Sequence, residues 1–192
     1  MLNEIQKLLT VHQFQTRDLA GDDHARAAVL VPLFEYNGEL GIVLIKRAEN
    51  MGVHRGQIGF PGGMQEPVDN DDLLLTALRE SEEELGILPS DINVLGRLSD
   101  RHTIVSGILV SPFVGWIPFP YSFSSDPVEV ASFHSTSLQS LLETREQAEG
   151  STDLPEPVYL LGELQVWGLT ARIIEELVGV LGPVLKSVIS KE

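Results

Sequence analysis

The sequence contains no cysteine, so it can form no disulfide or thiolate metal site and offers no cysteine nucleophile. Basic residues are scarce: 13 Lys and Arg stand against 28 Asp and Glu, which gives a formal net charge of −15 at pH 7. Nucleic acid backbones and anionic membranes repel a chain this acidic. Apolar runs are interrupted by Pro, Gly or charge well before the roughly 18 residues that a membrane-spanning helix needs. These deficits predict a cytoplasmic protein that binds neither nucleic acid polymers nor membranes.

Local signals in the sequence predict alternating strands and helices. Two β-rich runs flank Asn37-Gly38, which predicts a hairpin because a type I′ turn needs positive φ at both central residues. Residues 73–85 are good helix formers. Asp71 or Asp72 is the candidate N-cap of this helix, and Gly86 stands at the C′ position. We therefore expect a well-bounded helix between these residues.

The other predicted elements complete a mixed pattern. They are an amphipathic helix near the N-terminus, strands over 92–98, 103–117, 128–133 and 157–161, and helices over 137–145 and 169–181. Polar and acidic residues 146–157 predict a mobile loop. We expect one α/β (α+β) domain over residues 1–192, with a sheet sandwiched between helices and residues 1–25 as a helical extension.

Acidic residues concentrate in residues 62–92, which hold nine Asp and Glu and a single base, Arg79. Glu80, Glu83 and Glu84 stand at helical positions i, i+3 and i+4 and therefore share one face. Like charges at this spacing cost about 0.2–0.5 kcal/mol per pair. One interpretation is a solvated acidic face. The other is a carboxylate site for a hard divalent cation such as Mg²⁺, favoured because the opposite helix face is apolar and glycines precede the helix.

Two motifs resemble known families. Gly62-Gly63 followed by Arg79-Glu80-x-x-Glu83-Glu84-x-Gly86-Ile87 resembles the Nudix box, Gly-x5-Glu-x7-Arg-Glu-U-x-Glu-Glu-x-Gly-U, where U is aliphatic. This loop is two residues longer than in the box, and Asp69 or Asp71 takes the place of the glutamate that pairs with the box arginine. Upstream, Leu44-Ile45-Lys46-Arg47-Ala48 and Gly56-x3-Phe60-Pro61-Gly62-Gly63 are similar to the extra signature of coenzyme A pyrophosphatases.

The resemblance implies a Nudix-like α/β/α sandwich with a mixed β-sheet and a cofactor, Mg²⁺ or Mn²⁺. It implies that Glu80 and Glu84 are direct metal ligands. Glu83 is either a third ligand or the group that orients or deprotonates the attacking water. Arg79 is expected to pair with an acid of the preceding loop, and the Gly63 carbonyl is a candidate further ligand.

Three flanking residues carry two interpretations each. Arg47 and Arg55, with Gly62 and Gly63, are expected to contact substrate phosphates; the alternative for both arginines is ordinary ion pairs with the surplus acids. Glu129 stands where many Nudix proteins place a further acid near the metal; the alternative is an exposed strand residue.

The implied activity is hydrolysis of the diphosphate bond of coenzyme A or its derivatives, which gives 3′,5′-ADP and 4′-phosphopantetheine. The first alternative is Nudix hydrolysis of another small diphosphate compound, namely ADP-ribose, NADH or a nucleoside triphosphate. The second is a non-catalytic Nudix-like nucleotide-binding module. The complete trio of Glu80, Glu83 and Glu84 argues against the module, since a binding module has no need of so costly a cluster.

Overall fold

The computed structural model describes residues 1–16, 25–49, 56–103, 107–149 and 155–189. The helices are α1 (Leu2–Val11), α2 (Leu73–Leu85), α3 (Leu138–Glu143) and α4 (Gly168–Ile189). The strands are β1 (Arg26–Tyr36), β2 (Glu39–Arg47), β3 (Ile58–Gly59), β4 (Gly62–Met64), β5 (Asn93–Arg97), β6 (Arg101–His102), β7 (Leu109–Trp116), β8 (Val130–Ser137), β9 (Glu146–Glu149), β10 (Pro155–Leu161) and β11 (Leu164–Val166).

A mixed sheet forms the middle layer of the molecule. Its strand order is β3-β2-β1-β7-β5, with β4 added to β1, β6 to β7 and β8 to β2. Strands β1 and β7 are parallel, and the other pairs are antiparallel. Strands β9, β10 and β11 form a separate small antiparallel sheet.

Helices cover both faces of the mixed sheet. Successive residues of β1 point to opposite faces, so Val31 packs in one core cluster and Leu30 in the other. The first cluster includes Ile5 of α1 and Ile174 of α4, and the second includes Leu85 of α2. This layering confirms the expected α/β/α sandwich, and of the described helices α2 is the one that covers the second face.

The local signals are confirmed where the chain has the expected turn and cap residues. Asn37 and Gly38 adopt φ values of 53° and 84°, as a type I′ hairpin requires. Helix α2 spans Leu73–Leu85 as expected, and the side chain of Asp72 accepts a hydrogen bond from the Leu74 N–H at 2.9 Å. Asp72, rather than Asp71, is therefore the N-cap, and Gly86 ends the helix in the left-handed region at φ 67°.

Residues 146–157 correct the prediction of a loop. Strand β9 lies within them and pairs antiparallel with β10, with Val158 opposite Glu146. Strands on this surface need only one apolar face, here anchored by the buried Tyr159, so a polar and acidic composition does not exclude them. Residues 150–154 lie outside the described part of the chain.

Two elements run further than predicted. Helix α4 continues past 181 through Pro183, since Leu181 and Val184 on either side are both buried and the proline removes only one backbone donor. Strand β8 continues past Phe133 to Ser137, because its partner β2 extends the ladder to Gly41. In the described residues, no helix combines the length and the apolar character needed to cross a membrane.

Candidate active site

The arginine at the start of the acidic helix face anchors the preceding loop. Arg79 Nε donates to Asp69 Oδ1 at 2.9 Å and Arg79 Nη2 to Oδ2 at 3.1 Å. Asp69 closes a short 3-10 turn (Pro67–Asp69), is only 2% exposed, and also accepts from the Thr76 hydroxyl and the Glu66 N–H, both at 2.9 Å. The hydrogen bonds from Arg79 lower the pKa of Asp69 to about 2. Asp69, rather than Asp71, is thus the partner of Arg79.

The same guanidinium also binds the exposed side of the acidic cluster. Arg79 Nη1 donates to Glu80 Oε1 and to Glu83 Oε2, both at 2.9 Å, and Nη2 donates to the Met64 carbonyl at 3.1 Å. Glu83 is 55% exposed and Glu80 only 12%. Burial raises the pKa of Glu80, and the charge of Arg79 opposes that rise. The Arg79 guanidinium therefore offsets part of the repulsion among the carboxylates of Glu80, Glu83 and Glu84.

Glu84 is the buried member of the trio. Its side chain is 0% exposed, and Oε2 accepts a hydrogen bond from the Gly62 N–H at 2.8 Å. Among the described residues, Oε1 has no hydrogen-bond partner, and Arg47 Nη1 lies 3.4 Å from it. Burial raises the pKa of Glu84 to about 7, although the Arg47 charge and the Gly62 N–H lower it in part.

Two glycines bring backbone close to these carboxylates. Gly62 lies opposite Val29 in the β1–β4 ladder, and its N–H and C=O face Glu84 and Arg47, with Arg47 Nη2 donating to the Gly62 carbonyl at 2.6 Å. A Cβ at Gly62 would overlap the β1 backbone, and a Cβ at Gly63 would overlap the Glu80 carboxylate. Glycine is therefore required at Gly62, where the clash is with backbone, whereas a Cβ at Gly63 would displace the flexible Glu80 carboxylate.

Comparison with known proteins assigns this arrangement to a family. A family model of the NUDIX domain matches residues 24–149. The uncharacterized Nudix hydrolase NudL of Yersinia pestis (strain Pestoides F) is 39% identical over 160 residues, which cover 79% of this chain and 77% of the relative. NudL of Yersinia pseudotuberculosis (serotype O:1b) gives the same values. The chain belongs to the Nudix hydrolase family. A Nudix hydrolase is a pyrophosphatase, and enzymes of this family generally use divalent metal ions.

Solved structures support the same Nudix fold. A MutT/nudix family protein from Enterococcus faecalis aligns with a TM-score of 0.60 at 16% identity and covers 95% of this chain and 70% of its own. The NUDIX domain of Shewanella oneidensis NrtR, complexed with ADP ribose, aligns with a TM-score of 0.52 at 16% identity over 71% of this chain and 85% of its own. At these identities the likeness concerns the fold alone.

The carboxylates of the Nudix box have the chemistry that a divalent cation requires. Across the described ranges, no three Asp, Glu or His side chains already converge into a metal-binding group. Glu83 is exposed and hydrogen-bonded to Arg79. The negative charges of Glu80 and Glu129 both help to raise the pKa of Glu84. The buried Oε1 of Glu84 and the mutual repulsion of these carboxylates are features that a cation relieves, so the residues fit one.

The structure brings most of the other predicted residues to the Nudix box. Arg47 contacts both Glu84 and Gly62, which joins the upstream motif to the box. Glu129 is half-buried, and its carbonyl accepts from the Ala48 N–H at 2.8 Å, so the turn before β8 lies beside the end of β2. Arg55 lies outside the described residues and stays a prediction.

One contributor to the site carried no signal in the sequence. The loop between β7 and β8 packs along the C-terminal end of α2, where Ser124 N–H donates to the Leu85 carbonyl at 2.9 Å and Asp126 N–H to the Glu84 carbonyl at 3.3 Å. These bonds place Glu129 beside the buried carboxylate. Because these hydrogen bonds join backbone atoms about 40 residues apart, no local sequence pattern predicts them.

Proposed function

We propose that this Nudix hydrolase cleaves the diphosphate bond of coenzyme A or its derivatives, giving 3′,5′-ADP and 4′-phosphopantetheine. The observation that carries the proposal is the contact of Arg47 with Gly62 and Glu84. Arg47 belongs to the upstream motif that resembles the coenzyme A pyrophosphatase signature, and its contact with the Nudix box supports a shared role for the two motifs.

The carboxylates of the Nudix box have different roles in the proposed reaction. Glu80 and Glu84 would hold a divalent cation, Mg²⁺ or Mn²⁺, which would supply charge neutralisation for the diphosphate and make bound water more acidic. Glu83, which is half-exposed, is a third ligand or the base that takes a proton from the attacking water. Water adds to one phosphorus while the bridging P–O bond breaks, and each product leaves as a phosphate monoester.

The surrounding residues position these groups. Arg79 fixes the relative places of Glu80, Glu83 and the loop, and Glu129 adds a further acid beside Glu84. Arg47 and Arg55 are the proposed contacts for substrate phosphates, including the 3′-phosphate that distinguishes coenzyme A.

A substrate panel tests the proposal. The protein is incubated with Mg²⁺ or Mn²⁺ and coenzyme A, ADP-ribose, NADH or nucleoside triphosphates, and products are identified by mass. Preferential release of 3′,5′-ADP from coenzyme A is expected, and turnover of another compound alone would replace the substrate. ADP-ribose belongs in the panel because the NrtR domain is complexed with it.

Two glutamine variants on the same helix control for the chemistry. Glu84→Gln is expected to lower turnover on the order of 100-fold, the scale for removing one group that stabilises developing charge. Glu82→Gln makes the same charge change at an exposed position and is expected to keep activity. Absence of turnover for every compound, with wild type equal to Glu84→Gln, would favour the binding module instead.

A further inference from the structure

A pocket of about 300 Å³ lies at the end of β2 remote from Arg47. It is lined by Phe34, Tyr36, Glu39, Gly41, Phe119 and residues 135–137. The rings of Phe34 and Phe119 stack with centroids 3.9 Å apart, and the Tyr36 ring meets Phe119 edge-on at 5.4 Å. A Cβ at Gly41 would overlap the Phe34 ring, so that ring lies flat on the strand. The pocket thus has an aromatic wall, and none of the Nudix box residues lines it.

An exposed strip of β8 leads from the acidic site to this pocket. Phe133 lies opposite Ile45 and Ser135 opposite Val43, so both side chains share the sheet face on which α2 packs. Ala131, Phe133 and Ser135 are all exposed, with Phe133 at 40%. The distance from Glu129 to Ser135 along the strand direction is about 20 Å at ~3.4 Å per residue. The strip therefore runs from the turn that carries Glu129 towards the pocket.

The charge of the pocket decides which half of a diphosphate ester suits it. Among the described residues that line it, none is basic and Glu39 is acidic. A nucleoside half that carries a further phosphate would be repelled there, whereas an uncharged chain would not. The Phe133 ring, packed on Phe123 at 4.9 Å, offers apolar contact along the way, and the exposed Ser135 hydroxyl offers hydrogen bonding at the pocket mouth.

We propose that the β8 strip and the aromatic pocket bind the uncharged amide-and-alkyl arm of the substrate. This inference rests on the proposed function, in which the arm is that of pantetheine. An extended arm of about 13 bonds spans about 16 Å, at the ~1.2 Å per bond of a stretched chain. From the acidic site this length takes the thiol just past Phe133, which lies about 14 Å from Glu129 at ~3.4 Å per residue, so an acyl chain on the thiol is what enters the pocket formed by Phe34, Tyr36 and Phe119. The phosphorylated nucleoside then lies on the opposite side of the acidic site.

Product inhibition separates the two halves of the substrate site. Ser135→Trp fills the pocket mouth, and Ser90→Trp makes the same change at an exposed position of the 3-10 turn Pro89–Asp91. For Ser135→Trp, the KM for coenzyme A and the inhibition constant of 4′-phosphopantetheine are expected to rise by about tenfold, or roughly 1.4 kcal/mol. The inhibition constant of 3′,5′-ADP is expected to change less than about twofold, as is every constant of Ser90→Trp. Equal changes for both products, or none, would overturn the proposal.

Acyl chain length gives a second measurement that needs no variant. If the end of the arm enters the pocket, kcat/KM rises from acetyl- to butyryl- to hexanoyl-coenzyme A by about fourfold per methylene, which corresponds to ~0.8 kcal/mol. A series that stays flat from the shortest chain onward would remove the pocket from the proposal.

Binding without turnover distinguishes this inference from the proposed activity. Saturation-transfer NMR with pantetheine itself is expected to show contact with wild type and with Ser90→Trp, and a loss of contact in Ser135→Trp. Pantetheine binding without coenzyme A hydrolysis would contradict the proposed substrate and support the subsite. Coenzyme A hydrolysis without pantetheine binding would do the reverse.

Discussion

Replacement of Asp69 by Asn tests how strongly the Arg79 pair holds the Nudix loop on α2. Both oxygens of this buried carboxylate accept hydrogen bonds from Arg79, which hold its pKa at about 2 instead of 3.8. The difference between those two values corresponds to about 2.4 kcal/mol of stability. Solvent reaches the guanidinium side of the pair, and its screening reduces the expected contribution to about 1–2 kcal/mol.

The sign of the pH dependence follows from the direction of the pKa shift. The folded pKa of Asp69 lies below the unfolded value, so the ionised carboxylate favours the folded state. Its contribution is fully present above the unfolded pKa of 3.8 and is lost as pH falls through about 2. We therefore expect Asp69→Asn to lower the free energy of unfolding by about 1–2 kcal/mol at pH 7, with a smaller deficit in acid.

Urea unfolding at pH 7 and between pH 4 and pH 2 measures this difference. Asp71→Asn is the matched control, because Asp71 is exposed and its φ of 60° is one that Asn adopts readily. The reasoning is refuted if the two variants unfold alike at pH 7. It is also refuted if the deficit of Asp69→Asn persists unchanged at pH 2.

Three further predictions concern the buried side of the site. Without divalent metal, Glu84→Gln is expected to be more stable than wild type by about 1–3 kcal/mol at pH 8, because the raised pKa of Glu84 makes its ionised form costly in the folded state. Thermal unfolding should show this gain in stability vanishing as the pH falls towards 4.5. A gain independent of pH would contradict this account. Arg47→Gln removes the cation that holds the pKa of Glu84 down, so the acid limb of the pH–rate profile should move to higher pH, and an unmoved limb would argue against the pair. Gly63→Ala should lower the affinity for Mn²⁺ measured by calorimetry, because the added Cβ would displace the Glu80 carboxylate. The control is Gly179→Ala in α4, where a Cβ has open space, and this variant should keep the wild-type affinity.

The elements that the sequence determined alone are those whose signals lie within a few residues. Helix α2 begins and ends where expected because Asp72 caps its first turn and Gly86 adopts the left-handed conformation that ends it. The hairpin at Asn37-Gly38 forms for the same kind of reason. The spacing of Glu80, Glu83 and Glu84 on one helical face and the family motif around them are likewise local.

Tertiary structure decided everything that depends on a partner distant in the chain. Strand β9 forms in an acidic segment because β10 pairs with it. The sequence of a short segment does not show whether a partner strand will lie beside it. The choice of Asp69 over Asp71 depends on which carboxylate the turn points at Arg79. The unequal environments of three similar glutamates have the same origin: only Glu84 is placed beneath Gly62 and Arg47, where burial raises its pKa, while Glu83 remains open to solvent. Identical side chains differ only through what folding packs around them, and the sequence order does not contain that information locally.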